Sequence, residues 1–160
     1  MKINIKILSV LLITFFFSFN FVYAASSGGD SYDQQDLYKQ GKKLVQRAKK
    51  QEKNNKIEKA QKLYLKAYKK FEKAHAKDKK NPDILNYLGY TSRKTGNLEK
   101  AEIYYLKGLT FDSSHLGINE YLGELYVQTN RIALAKERLA ILKSCNCEEY
   151  KELKELIENK

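Results

Sequence analysis

Apolar and polar positions alternate along most of this chain with the period of a helix. Leu37, Gly41, Leu44 and Ala48 recur every three or four residues, with Tyr38 and Val45 alongside, until the polar pair Asn54-Asn55 interrupts them. Ile57, Ala60, Tyr64, Ala67, Phe71 and Ala74 then form one stripe of a longer helix. A third stripe, Ile84, Leu85, Leu88, Thr91 and Ser92, follows Pro82, which suits a first helical turn because a helix start leaves that N–H unbonded anyway. Thr95-Gly96-Asn97 breaks it, and Leu98, Ala101, Tyr105 and Leu109, with Tyr104 and Gly108 beside them, resume the period. No single helix can hide such a stripe from water, so the helices must pair.

The pattern also repeats as a whole. Leu88-Gly89 recurs as Leu122-Gly123, Tyr87 as Tyr121, Leu98 as Ile132 and Ala101 as Ala135, all at an offset of 34 residues. Ala67, Phe71, Ala74 and Asp78 precede Ala101, Tyr105, Gly108 and Asp112 by the same offset. Self-similarity at such a period marks stacked supersecondary units. The first helix pair is then a degenerate unit whose second helix has grown at its front end.

A Leu-Gly pair early in the unit, a turn containing Gly96, then Ala101, Tyr105 and Gly108 resemble the tetratricopeptide repeat. The second copy keeps Leu122, Gly123, Tyr126 and Ala135, puts Asn130 for the turn glycine and Leu139 for the aromatic. The resemblance implies an all-α solenoid of about three stacked antiparallel helix pairs: a degenerate pair at 36–81, a repeat at 82–115, a repeat at 116–144, and a capping helix at 147–158. It further implies a concave groove lined by the first helices of the units. Matched by offset, its contact positions are Asn86, Tyr90 and Arg93 in one unit and Glu120, Glu124 and Val127 in the next. Tyr90 and Glu124 stand where peptide-clamping members of the family carry Asn, so a clamp for a C-terminal carboxylate is not implied.

The start of the chain reads differently. Lys2 and Lys6 precede an apolar run from Ile7 to Val22 that ends in Val22-Tyr23-Ala24, the order of a secretory signal peptide. Residues 1–24 are predicted to be removed between Ala24 and Ala25, leaving 136 residues in a bacterial periplasm or outside the cell. A retained signal anchor stays open, since a spanning helix wants about 20 apolar residues. Residues 25–35, with Ser26-Ser27-Gly28-Gly29-Asp30, bury too little to offset the entropy of ordering and are predicted to be a flexible leader.

Composition adds one asymmetry. The net charge is +11, and residues 36–81 hold 17 Lys+Arg against 5 Asp+Glu, whereas 82–160 hold 11 against 12. A basic end of this kind attracts acidic proteins, anionic lipid head groups or nucleic acid. The export signal sets nucleic acid aside. It leaves a protein or peptide partner, with acidic character, and weak contact with an anionic membrane surface.

Chemistry has little to stand on. His75 and His115 lack partners at ligand or triad spacing, and no glycine loop opens a helix, so neither metal, cofactor nor catalytic residue is predicted. Cys145 and Cys147 are the exception. They read as a local disulfide ahead of the cap helix, which Asn146 would N-cap with Glu149 three residues on. The expected function is therefore non-enzymatic: an exported adaptor that binds a peptide or protein. Two alternatives stay open, a thiol-disulfide redox protein using Cys145 and Cys147, and a structural envelope protein attached through its basic hairpin.

Overall fold

A computed structural model describes residues 28–160, with side chains from Asp33 onward. The signal segment and its Ala24-Ala25 junction lie outside the described residues. Among the described residues seven helices follow one another: α1 (Gly28–Lys53), α2 (Ile57–Lys77), α3 (Pro82–Lys94), α4 (Leu98–Leu109), α5 (Leu116–Gln128), α6 (Ile132–Leu142) and α7 (Glu148–Glu158). The described residues contain no strand. α1 packs mainly on α2, α3 on α4, and α5 on α6, while α2–α3 and α4–α5 contacts stack one pair on the next. α7 lies across α5 and α6 and closes the stack.

The turns inside the pairs share one device. Asn55, Gly96 and Asn130 each adopt a positive φ, of 55°, 89° and 59°. Glycine has no Cβ to clash there, and asparagine is among the few other residues that visit the region readily. Side chains cap three of the helices, α3, α4 and α5. Asn81 Oδ1 accepts from the Ile84 N–H at 3.3 Å, Asn97 Oδ1 from Lys100 at 3.1 Å, and His115 Nδ1 from Ile118 at 3.2 Å. A hydroxyl, amide or ring acceptor at this place satisfies one of the donors a helix start leaves free.

In the first two pairs an aromatic ring packs on a glycine, whereas Gly123 of the third pair meets Leu153 of α7. A Cβ on Gly89 would sit 2.4 Å from the Tyr105 ring, and one on Gly41 would sit 2.5 Å from Phe71. Thirty residues separate Gly41 from Phe71 but only sixteen separate Gly89 from Tyr105. The contact is the same, so the first hairpin carries fourteen more residues between its contact points. Both α1 and α2 run past the repeat scaffold.

The core forms two clusters. One joins Val45, Ala48, Tyr64, Phe71, Ile84 and Leu88, and the other joins Tyr105, Ile118, Leu122, Leu142 and Leu153. Half-buried Tyr121 packs against both. Arg131 reaches back from the α5–α6 turn to Glu102 on α4 through two hydrogen bonds of 2.8 Å, a bidentate pair that fixes adjacent units in register.

Three expectations change. Helix α1 starts at Gly28, so residues 28–35 continue the first helix where a flexible leader was expected. Ile57, expected on the buried stripe of α2, is 50% exposed. Asn146 is not the N-cap of α7: Cys147 holds that place without a side-chain cap, and Asn146 takes a φ of 46°. The structure joins Cys145 to Cys147 with Cα atoms 5.1 Å apart, and closing so short a loop bends the chain at the residue between them.

Two substitutions test this packing. Ala is favoured over Gly inside a helix by about 1 kcal/mol, so on propensity alone Gly89→Ala would stabilise. The ring contact reverses the sign, and overpacking costs about 1–3 kcal/mol, which thermal denaturation will show as a melting temperature lowered by about 3–10 °C. Replacing Cys145 and Cys147 together by Ser will lower it by only a few degrees, because a three-residue loop carries roughly 1.6 kcal/mol of closure entropy.

Candidate interaction groove

The first helices of the units stand side by side and present a seam of tyrosines. Tyr38 from α1 meets Tyr87 of α3 edge-on, with ring centres 5.6 Å apart, and Tyr90 of α3 lies 4.9 Å from Tyr121 of α5. Rings beneath them support the seam. Phe71 stacks on Tyr87 at 4.9 Å and Tyr64 meets Tyr90 at 5.9 Å, so α2 fixes the position of α3 from behind. Tyr38, Tyr87 and Tyr121 are half-buried, presenting ring surface to the groove, whereas Tyr90 is 5% exposed and forms its floor.

The walls of the groove carry opposite charge. On the α1 side, Lys42 Nζ stands 5.4 Å from the Tyr38 ring centre and 5.9 Å from that of Tyr87, and Lys49 Nζ is 5.2 Å from Tyr90. The electron-rich ring faces attract these ammonium groups and hold them along one rim. On the other side α5 and α7 bring Glu120, Glu124 and Glu152 together, with carboxylate oxygens within 4.8 Å of one another. The space between the walls has two lobes. One of about 460 Å³ is lined by residues including Tyr38, Lys42, Asn86, Tyr87, Glu120, Tyr121 and Glu149. The other, about 180 Å³, lies among Lys42, Gln46, Lys49, Tyr87, Tyr90 and Tyr121.

The positions matched by offset fall on this groove in different ways. Arg93 and Glu124 form an ion pair and so occupy each other. Asn86 and Glu120 line the larger lobe, although they are only 6% and 4% exposed. Val127 is 3% exposed and packs in the second core cluster, which removes it from the groove. α7 folds over α5 at this point, and its Leu153 fills the space above Gly123. Cys145 and Cys147 lie at the α6–α7 junction, where Cys145 packs against the core.

Sequence reasoning missed Tyr38, Tyr87, Tyr121, Lys42 and Lys49 as groove residues. A signal existed: Tyr87 and Tyr121 are 34 apart, and Lys42 and Lys49 are two helical turns apart on one face. His115 was also underrated. Its Nδ1 caps α5, and its Nε2 lies 3.4 Å from Asp83 on α3.

Burial sets the electrostatics. Glu120, desolvated and facing Glu152, Glu124 and Glu149, has its carboxyl pushed up from 4.5 to about 9. Like charges and loss of water act in the same direction there. The hydroxyls of Tyr90 and Tyr121 are pushed up from their ordinary value by burial above all. His75 is pushed down, chiefly by desolvation and then by Lys107. Nothing in this arrangement pairs a nucleophile with a base.

Comparison with known proteins gives the fold. No family model matches the sequence, and no curated protein matches it either. Solved structures do. The Yersinia enterocolitica type III secretion chaperone SycD, in complex with a peptide of the translocator YopD, superposes with a TM-score of 0.52 at 22% identity, covering 74% of this chain and 86% of that one. The Arabidopsis OM64 TPR domain gives 0.50 at 12% identity, with coverages of 77% and 98%. A tetratricopeptide repeat protein from Parabacteroides merdae gives 0.53 at 14%, with coverages of 75% and 59%. The chain has the tetratricopeptide-repeat solenoid fold.

The buried carboxyl makes stability depend on pH with a definite sign. Unfolded, Glu120 ionises near 4.5; folded, it keeps its proton to about 9. Between those values the native state binds more protons than the unfolded chain, so this group's contribution is complete below the lower value and lost as pH rises through the window. Glu120→Gln, which stays neutral throughout, will melt with the parent chain at pH 4 and a few degrees above it at pH 8. Differential scanning calorimetry at the two pH values checks this.

Proposed function

We propose that this chain is an exported, non-enzymatic interaction module that receives an extended segment of a protein partner in its concave groove. The observation that carries the reading is the tyrosine seam, Tyr38, Tyr87, Tyr90 and Tyr121, framed by lysines on one rim and carboxylates on the other. Half-buried aromatic rings held rigidly by a second layer offer contact area with little conformational entropy to lose, which is what a peptide groove requires. The fold agrees with this, since SycD was solved with a translocator peptide.

The basic hairpin has a separate role in this reading. Residues 36–81, which include most of α1 and all of α2, hold 17 Lys+Arg against 5 Asp+Glu, so they draw acidic segments or an anionic surface toward the groove. Export follows from the N-terminal pattern and places the partner in the periplasm or outside the cell. Intact-mass measurement of the native protein will give an N-terminus at Ala25; a full-length species in the membrane fraction would instead make it an anchored protein.

Kinetics distinguish attraction from recognition. With a partner captured by crosslinking in the intact envelope, Lys66→Glu, Lys69→Glu and Lys73→Glu together will slow association and flatten its salt dependence, because exposed charges are screened beyond about 8 Å at physiological ionic strength. Tyr121→Ala will act mainly on dissociation, hastening it by about tenfold or more, as expected for an aromatic anchor. A partner that dissociates from Tyr121→Ala at the parent rate would move the binding surface away from this groove.

A further inference from the structure

We infer that a cavity beside the α1–α2 turn is a binding site for a phosphate group. Arg47, Lys50 and Gln51 of α1 and Lys59, Lys62 and Leu63 of α2 line a space of about 540 Å³ open to solvent. Each helix supplies its three residues at i, i+3 and i+4, the spacing that puts side chains on one helical face. The turn at Asn54-Asn55 reverses the chain between the two triplets, so the two faces meet. No lining residue is shared with either lobe of the groove, and the site stands independently of the groove reading.

Four of the six lining residues are cations and none is a carboxylate. The hairpin's own carboxylates do not make up the difference. Asp36 accepts from Gln40 at 2.7 Å, and Glu52 takes the Tyr64 hydroxyl and Lys94, each at 2.8 Å. Glu72 stands beside the Tyr68 hydroxyl, and Asp78 accepts from the Lys80 N–H and the Asn81 amide. Only Glu58 reaches a cation of the cavity, 3.1 Å from Lys62, and both side chains of that pair are largely exposed. Arg47, Lys50 and Lys59 have no ion pair among the described residues. Three positive charges are therefore left over in a concave space, whose low-dielectric walls focus their field on whatever enters. The lysines of the same hairpin that face the groove differ, since Lys42 and Lys49 rest on tyrosine rings.

The uncompensated charge and the kind of donor both favour phosphate over carboxylate. A phosphate monoester carries about −1.5 to −2 charges at neutral pH and three strong acceptor oxygens, whereas a carboxylate side chain brings one charge and two oxygens. Arginine presents a planar fork of N–H donors that matches phosphate oxygens two at a time, and lysine adds mobile point charges around it. The Gln51 amide supplies further neutral donors. Half-buried Leu63 gives the cavity one apolar wall, against which the carbon skeleton carrying the phosphate can rest. An anionic lipid head group and a small phosphorylated molecule offer this same chemistry.

The purified full chain, in phosphate-free buffer, is titrated with inorganic phosphate by calorimetry. In parallel it is sedimented with vesicles of phosphatidylglycerol in phosphatidylcholine, and with phosphatidylcholine alone as the uncharged control. The parent chain will bind at least one of the two anionic probes. Arg47→Gln/Lys50→Gln/Lys59→Gln will weaken that binding by about tenfold or more, whereas Lys39→Gln/Lys79→Gln/Lys80→Gln will weaken it by about threefold or less. The second variant removes the same charge from exposed positions of the hairpin outside the cavity. All six positions are exposed, so both variants will melt close to the parent chain and unfolding will not confuse the comparison. Vesicle binding without phosphate binding assigns the site to a lipid head group, and the reverse assigns it to a small phosphorylated molecule; either upholds the inference. Equal losses in the two variants mean diffuse charge and overturn it, as does a parent chain that binds neither probe. A hexaglutamate peptide that displaces the bound probe at lower concentration than phosphate itself also overturns it, in favour of an acidic protein.

Discussion

The stack depends on how closely paired helices approach, and a ring resting on a glycine sets that distance. Phe71 over Gly41 and Tyr105 over Gly89 are the same contact in successive pairs, and any Cβ at either glycine would overlap the ring. Flat rings against bare backbone bring two helix axes nearer than ordinary side chains allow. The two pairs that carry this contact bring α1 and α3 side by side, where Tyr38 meets Tyr87. The groove is a consequence of that alignment.

Alignment alone would leave a featureless surface, and the second layer gives it character. Tyr87 and Tyr90 stand on Phe71 and Tyr64 of the preceding unit, so ring positions on the concave side are determined by the convex-side helix behind them. The same crowding draws polar groups out of water. Asn86, Glu120 and Arg93 all lie largely or wholly below the surface, and only Arg93 and Glu124 compensate each other. The opposite walls differ in burial as well as charge: Lys42 and Lys49 lean on ring faces, while Glu120 is buried and Glu152 beside it is exposed.

The first hairpin departs from the repeat without abandoning its geometry. Fourteen extra residues lie between Gly41 and Phe71 relative to the regular unit, and much of the cationic excess sits on this longer hairpin. Adding length at the open ends of α1 and α2 leaves the ring contact untouched, which is why the scaffold tolerates it. A strongly charged element can thus be appended beside a groove whose own residues balance.

The helices, their pairing, the 34-residue stacking and the left-handed turns at Gly96 and Asn130 were determined by the sequence, because periodic burial and turn chemistry are local properties. The helical state of residues 28–35 was not, since they lack an apolar stripe. Nor could spacing show that Asn146 would leave the cap position to turn the Cys145–Cys147 loop. The groove was half legible. Offsets put Asn86, Tyr90, Arg93, Glu120 and Glu124 on the first helices of their units, α3 and α5, whereas Val127 is buried in the second core cluster. That Tyr38, Lys42 and Lys49 from α1 face Tyr87 and Tyr121, and that Glu152 from α7 meets Glu120, was decided by the tertiary structure, because these groups are brought together only by the stacking of whole units.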